Sequence, residues 1–338
     1  IGSMSEFDYL MQLFSRPRPN GSRAERETAE AIKNWLSERG IPFKVHRFRQ
    51  YPYFMECLGV WIILSRNLLV LSVLFRWGWA SLPIAILGTA GGLVDLLWHI
   101  PLVTWPGARW GENVLIEMDG PQADREAILS AHYDTKTEFL DHHKRMVLLK
   151  SLPAGIVLTL VLGAIGPIEA ALRANDSPWA APVWYAAVPI GVVLLVLAWT
   201  LGLNLATGRL LAPSPGTVDN GAACAILMTL AHRITAVKEF LPDNLKLTLA
   251  LFSGEEISMQ GSRAFVEDAD RSLPASALNL EAMAQDGPYV YWEQDGNVLH
   301  LEPTDPHMNA LVAQAVAQVT GRPAVSYTHL RAHETKAN

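Results

Sequence analysis

Apolar residues gather in two long regions of this chain, and polar blocks lie before, between and after them. The first region, 57–105, is broken near Arg76-Trp77-Gly78-Trp79, so two spans of about 20 residues fit, each able to cross a hydrocarbon core of ~30 Å. Tryptophans at such a break suit a membrane interface. The second region holds apolar runs at 152–172 and 183–206, joined by the turn-like 173–182. Four crossings in two hairpins are therefore expected. The first span contains Arg66-Asn67; the second carries Asp95, His99 and a Gly88-to-Gly92 spacing that permits close helix contact. Charge inside a membrane is costly and often functional, as in a transporter. Pairing of Arg66 with Asp95 across one hairpin is the plainer account.

The polar blocks have globular periods. Ala24, Thr28, Ile32, Trp35 and Leu36 recur at helical spacing over 23–40, and Gly40 with Pro42 stops that helix. Short apolar runs bounded by turn residues predict strands at 113–118 and 127–131. Beyond the last span, 222–234 predicts a helix, 245–252 an alternating strand and 308–319 an amphipathic helix. Two hairpins return the chain to the side it left, so all three blocks can fold together as one interrupted domain. Strands alternating with helices predict α/β/α layers. The expected segments are 1–56, 107–150 and 208–325 for that domain, 57–106 and 151–207 for the hairpins, and 326–338 as a non-native tail. No internal repeat is present, and no cleavable signal peptide is expected.

Composition sharpens this picture. Half of the 338 residues are hydrophobic and only 18% are charged, which excludes a disordered chain and agrees with a lipid bilayer as partner. Lys and Arg number 27 against 33 Asp and Glu, a net charge of −6 without basic blocks, so nucleic acid is not an expected partner. Cys57 and Cys224 cannot build a disulfide framework or a thiolate metal site. A transition metal would have to be held by His and carboxylates.

Four short stretches carry candidate chemistry, each at a strand end or helix start. They are His132-Tyr-Asp134 after one strand, Asp219-Asn220-Gly221 entering a helix, Glu255-Glu256 after another strand, and Asn279-Leu-Glu281. Singly they are bland: Asp-Asn-Gly is a turn signal, Asp219 can cap a helix, and paired glutamates are mostly surface. Jointly, one His with several carboxylates at strand ends suits Zn²⁺, Mn²⁺ or Co²⁺.

The order of these motifs, with Gly21-Ser22 before the first long helix and Gln260-Gly261-Ser262 after the glutamates, resembles the dizinc aminopeptidases of metallopeptidase family twenty-eight. The resemblance implies a three-layer α/β/α zinc-exopeptidase fold with a mixed sheet, here interrupted by two transmembrane helical hairpins. It implies that His132 and Glu281 hold one zinc, Glu256 the other, and that Asp219 bridges them. Asp134 would accept the second ring N–H of His132 and fix its tautomer. Glu255 would not be a ligand; it would carry the proton from water to the leaving amine. The implied reaction is hydrolysis of a peptide bond at a free N-terminus. The rivals are a glutaminyl-cyclase-type single-zinc acyltransferase and an inactive peptidase-like membrane scaffold; the intact Glu255 speaks against the scaffold.

Two further expectations concern topology and the chain end. Lys44, Arg47, Arg49, Arg109, Lys144, Arg145, Lys150 and Arg209 flank the spans on the domain side, against Arg76 and Arg173 opposite, which places the domain in the cytoplasm. The family's second metal also needs a late His. His300 and His307 come early for that role, and His329 and His333 sit in a tail that reads as non-native. The expectation is a natural protein cut near Val325, with two zincs in a complete site but only one firmly bound in this chain.

Overall fold

Strands and helices alternate in the computed structural model much as the periodicities predict. It describes residues 5–98, 100–138, 140, 142–211, 213–237, 240–269, 272–283, 288–297 and 300–328. In chain order the elements are α1 (Glu6–Leu13), α2 (Arg23–Glu38), β1 (Lys44–Gln50), α3 (Phe54–Leu74), α4 (Ser81–Trp98), β2 (Arg109–Asp119), β3 (Arg125–His132), α5 (His142–Lys150), α6 (Leu152–Ala174) and α7 (Ala180–Leu211). After a non-helical turn at Thr217–Gly221 follow α8 (Ala222–Ala236), β4 (Leu245–Phe252), α9 (Gln260–Asp268), β5 (Ala275–Asn279), β6 (Val290–Asn297), β7 (His300–Pro303), α10 (Pro306–Thr320) and β8 (Val325–Thr328).

The chain divides into two units. The first comprises Ile1–Gln50, Arg109–Thr135 and Ser214–Asn338. Its main sheet has the order β1-β2-β4-β3-β5 and is mixed: β1, β2 and β4 pair antiparallel, whereas β3 is parallel to both β4 and β5. Side chains alternate across it, so Val114 and Ile116 enter one core with Leu10, Ile32, Leu36, Leu227 and Met228, while Leu115 enters another with Ile128, Phe252 and the partly buried Phe265. Helices α1, α2 and α8 thus cover one face and α9 the other, three layers in all. Strand β4 departs from the alternation expected of it. Being central, it is buried on both faces from Leu247 to Phe252, and its one polar member there, Thr248, donates to Glu126 at 2.6 Å. Helix α2 starts where Ser22 accepts the amide of Glu25 at 3.0 Å, a side-chain cap for an otherwise unpaired donor. A second, three-stranded sheet of order β7-β6-β8 lies near the end of the described chain and was not expected from the sequence.

The second unit comprises Tyr51–Ala108 and Lys136–Pro213. Helices α3, α4, α6 and α7 meet at an apolar cluster of Leu69, Val70, Val73, Ala85, Leu162, Ala187 and Leu194. Three of them, Phe54–Leu74, Leu152–Ala174 and Ala180–Leu211, are long and apolar enough to cross a membrane; α4 has 18 residues. Exposed Leu64, Leu87, Val157 and Val196 give this unit an apolar surface. Helices α3 and α7 approach through Gly59 and Gly202: a Cβ on Gly59 would lie 2.5 Å from the Gly202 carbonyl oxygen. Among the described ion pairs the expected one between Arg66 and Asp95 does not occur. Arg66 Nη1 donates to the Gly88 carbonyl at 2.6 Å and to Ser65 Oγ at 3.0 Å, because the close approach of α4 at Gly88 brings backbone within reach first. His99 lies outside the described residues.

Candidate active site

Parallel pairing decides where the motifs meet. Because β3 runs parallel to β4 and β5, their carboxyl ends open on one edge of the sheet. His132 is the last residue of β3 and is 2% exposed. Glu255 and Glu256 follow β4, Glu281 follows β5, and Asp219 lies in the turn that enters α8.

These side chains converge on one imidazole. His132 Nε2 lies 3.2 Å from Asp219 Oδ1, 3.6 Å from Glu255 Oε2 and 3.7 Å from Glu281 Oε2. On the other side of the ring, Nδ1 is 3.5 Å from Asp134 Oδ1. Asp134 is fully buried, and its two oxygens accept the backbone amides of Glu255 at 3.3 Å and Glu256 at 3.0 Å. It therefore holds the loop of paired glutamates, a task the sequence did not suggest.

The asparagines of the motifs have definite partners. Asn220 is buried and donates to the Leu280 carbonyl at 2.6 Å, joining the Asp219 turn to the segment carrying Glu281. Asn279 donates to Glu281 Oε1 at 2.8 Å, and its own oxygen accepts from Ser130 Oγ at 2.8 Å. Cys224 points its thiol at the His132 carbonyl at 3.2 Å, and burial pushes it up to about 12, so it is no nucleophile.

The electrostatics are those of a cation site. Burial disfavours the imidazolium of His132, but Glu255, Asp134, Asp219 and Glu281 outweigh it and raise its pKa well above the ordinary value. Burial pushes Glu255 up to about 7, only partly relieved by His132. Burial and the neighbouring Glu255 raise Glu256 well above the ordinary carboxylate range, and Glu256 Oε1 is buried without a hydrogen-bond partner. Crowded carboxylates with one orphaned oxygen are what a bound divalent cation would relieve. Among the described residues two donor groups have the reach for one: His132, Asp219 and Glu281, and His132, Glu255 and Glu256, with ligand atoms within 4.8 Å of one another in each. One imidazole with carboxylates and no thiolate fits zinc.

Of the late histidines, His307 stands in the first turn of α10 and belongs to neither group; His300 lies in β7, and His329 and His333 fall outside the described residues. Sequence reasoning also missed Arg18, Glu25 and Asn113. Asn113 accepts the Ser253 amide at 3.1 Å and donates to the Gly261 carbonyl at 2.8 Å, bracing the loop after β4. Only the turn-rich Arg16-Pro-Arg-Pro-Asn-Gly21 around the first of these three carried a signal.

Residues 203–331, which include Asp219, Glu255, Glu256 and Glu281, match the family model of Peptidase family M28. No curated protein matches the chain. Among solved structures, the aminopeptidase from Aneurinibacillus sp. strain AM-1 matches at 10% identity and TM-score 0.50, over 95% of this chain and 79% of that one. The zinc aminopeptidase BSAP from Bacillus subtilis matches at 11% identity and TM-score 0.46, over 96% and 78%. A glutaminyl cyclase from Fimbriiglobus ruber matches at 14% identity and TM-score 0.41, over 86% of this chain and 64% of that one, so the chain spans just under two thirds of that relative. At these identities the likeness to the Aneurinibacillus aminopeptidase is one of fold.

Proposed function

We propose, from the match of residues 203–331 to the model of Peptidase family M28, that the chain is a membrane-anchored, zinc-dependent exopeptidase of aminopeptidase type. The observation that carries this reading is the convergence of Asp219, Glu255 and Glu281 on His132 Nε2, beside the orphaned buried oxygen of Glu256. His132, Glu281, Asp219 and Glu256 would hold the zinc, His132 and Glu281 on one side and Glu256 on the other, with Asp219 between them. Bound zinc supplies Lewis acidity to the scissile carbonyl and lowers the pKa of water. Asp134 faces the His132 ring from the Nδ1 side, where it would orient the ring, and keeps the 255–256 backbone in place. Glu255, raised towards neutrality, takes a proton on Oε2 from the attacking water and delivers it to the leaving amine. The proposed substrate is a peptide with a free N-terminus.

The anchoring part of the proposal rests on the apolar helices of the second unit. We read α3, α4, α6 and α7 as four crossings and place the catalytic unit on the cytoplasmic face from the Lys and Arg flanks. Hydrolysis of aminoacyl chromophores by purified protein, abolished by a chelator and restored by zinc, tests the enzyme. Cyclisation of a glutaminyl peptide without hydrolysis would favour the acyltransferase reading, and neither reaction the scaffold.

A further inference from the structure

We propose that Arg18 is a positioning residue that clamps the Asp219 turn onto the end of β3, so that two separate metal-ligating segments are set by one buried guanidinium. Local sequence prepares it. Arg18 lies between Pro17 and Pro19, and a residue before proline is pushed to extended backbone, which ends any helical continuation of α1 at this point. It is the largest fully buried side chain among the described residues.

Among the described residues its guanidinium hydrogen bonds all go to carbonyl oxygens, its Cζ lies 5.3 Å from the Phe14 ring centroid, and no carboxylate forms an ion pair with it. Nε donates to the Tyr133 carbonyl, directly after His132. Nη1 donates to Phe14 at 2.7 Å, Arg16 at 3.0 Å and Pro215 at 2.9 Å, and Nη2 to Gly216 at 2.7 Å. Its backbone amide donates to Thr135 Oγ1 at 2.9 Å. One planar fork thus spans the end of α1, the residue before Asp134 and the two residues that open the Asp219 turn, while the backbone amide holds the residue after Asp134. The turn itself is closed by the Gly221 amide on the same Gly216 carbonyl at 3.0 Å.

The clamp has no slack. Gly216 has φ +62°, and a Cβ there would lie 2.1 Å from Thr135 Cγ2; one on Gly221 would lie 2.4 Å from Phe14 Cβ. A buried cation joined only to neutral carbonyls is an expensive element for mere packing, since an apolar side chain would fill the volume at lower cost. What an apolar side chain lacks is the fixed fork that sets several carbonyls at once, and lysine lacks it too.

The metal arm of the test rests on the proposed zinc site; the loop arm does not. Hydrogen–deuterium exchange of the full chain in detergent should show residues 214–221 exchanging about tenfold faster in Arg18→Lys, with β2 and β4 unchanged, as expected of local opening. Zinc affinity should fall about 10–100-fold, the usual cost of losing a group that orients ligands. A charge effect alone would leave Arg18→Lys like wild type, and a purely structural role would speed exchange everywhere, as Leu36→Ala is expected to do. Either result overturns the proposal. Thr135→Ala, which unhooks only the Arg18 amide, should give a smaller change of the same kind; if Arg18→Lys does not fold, no change in this variant refutes the clamp. Wild type that binds no zinc would sink the metal site, and exchange over 214–221 would still decide the clamp.

Discussion

The backbone amide of Glu256 donates to Asp134 Oδ2 at 3.0 Å, so the acid two residues beyond His132 holds the loop of paired glutamates as well as facing the histidine. Replacing Asp134 by Asn would set an NH₂ group against one of two amide donors. We predict that Asp134→Asn loses zinc affinity by roughly 10–100-fold and turnover with it. Equilibrium zinc competition checks this, and unchanged affinity refutes it.

Glu255 and Glu256 should separate under mutation. Glu255→Gln removes a proton carrier, so turnover should collapse by a factor of roughly 10²–10⁴ while metal content stays level. Glu256→Ala or His132→Ala should lower bound metal instead. Equal metal loss in Glu255→Gln and Glu256→Ala, read by plasma mass spectrometry, would contradict this division.

Metal counting on the unmodified chain gives a third outcome. His132 is the one imidazole in either donor group among the described residues, and a tight zinc site normally has three or four protein ligands. About one firmly held zinc per chain is expected. Two that survive dialysis would overturn the expectation.

Acid pH should favour the fold through Glu25. It is 3% exposed, accepts the Gly21 amide at 2.6 Å and a hydrogen bond from Ser253, and burial pushes it up to about 7. The folded chain then keeps a proton that the unfolded chain loses nearer 4.5. Stability from this group is complete below about 4.5 and is lost as pH rises through about 7, a change of roughly 3 kcal/mol. Glu25→Gln mimics the protonated form. It should match wild type in thermal midpoint at pH 5 and exceed it at pH 8; parallel pH curves for the two proteins would contradict this.

Protease treatment of right-side-out vesicles addresses topology. A cytoplasmic catalytic unit is protected there and digested in inverted vesicles. The opposite pattern would reverse the orientation.

What the sequence determined by itself was whatever depends on nearest neighbours along the chain. The apolar runs that became α6 and α7, the amphipathic period of α2, and the acids placed directly after β3, β4 and β5 are local properties, because burial in lipid or against one sheet face selects residues at a fixed period. Tertiary structure decided which distant groups complete them. Arg18 meets Gly216 across 198 positions, Ser130 meets Asn279 across 149, and Ser253 meets Glu25 across 228. The Gly59–Gly202 approach and the exchange of Asp95 for the Gly88 carbonyl at Arg66 are of the same kind. A hydrogen bond or a backbone contact has no period to read. It exists only where folding brings a donor and an acceptor within about 3 Å of each other, and burial then makes leaving either one unpaired too costly.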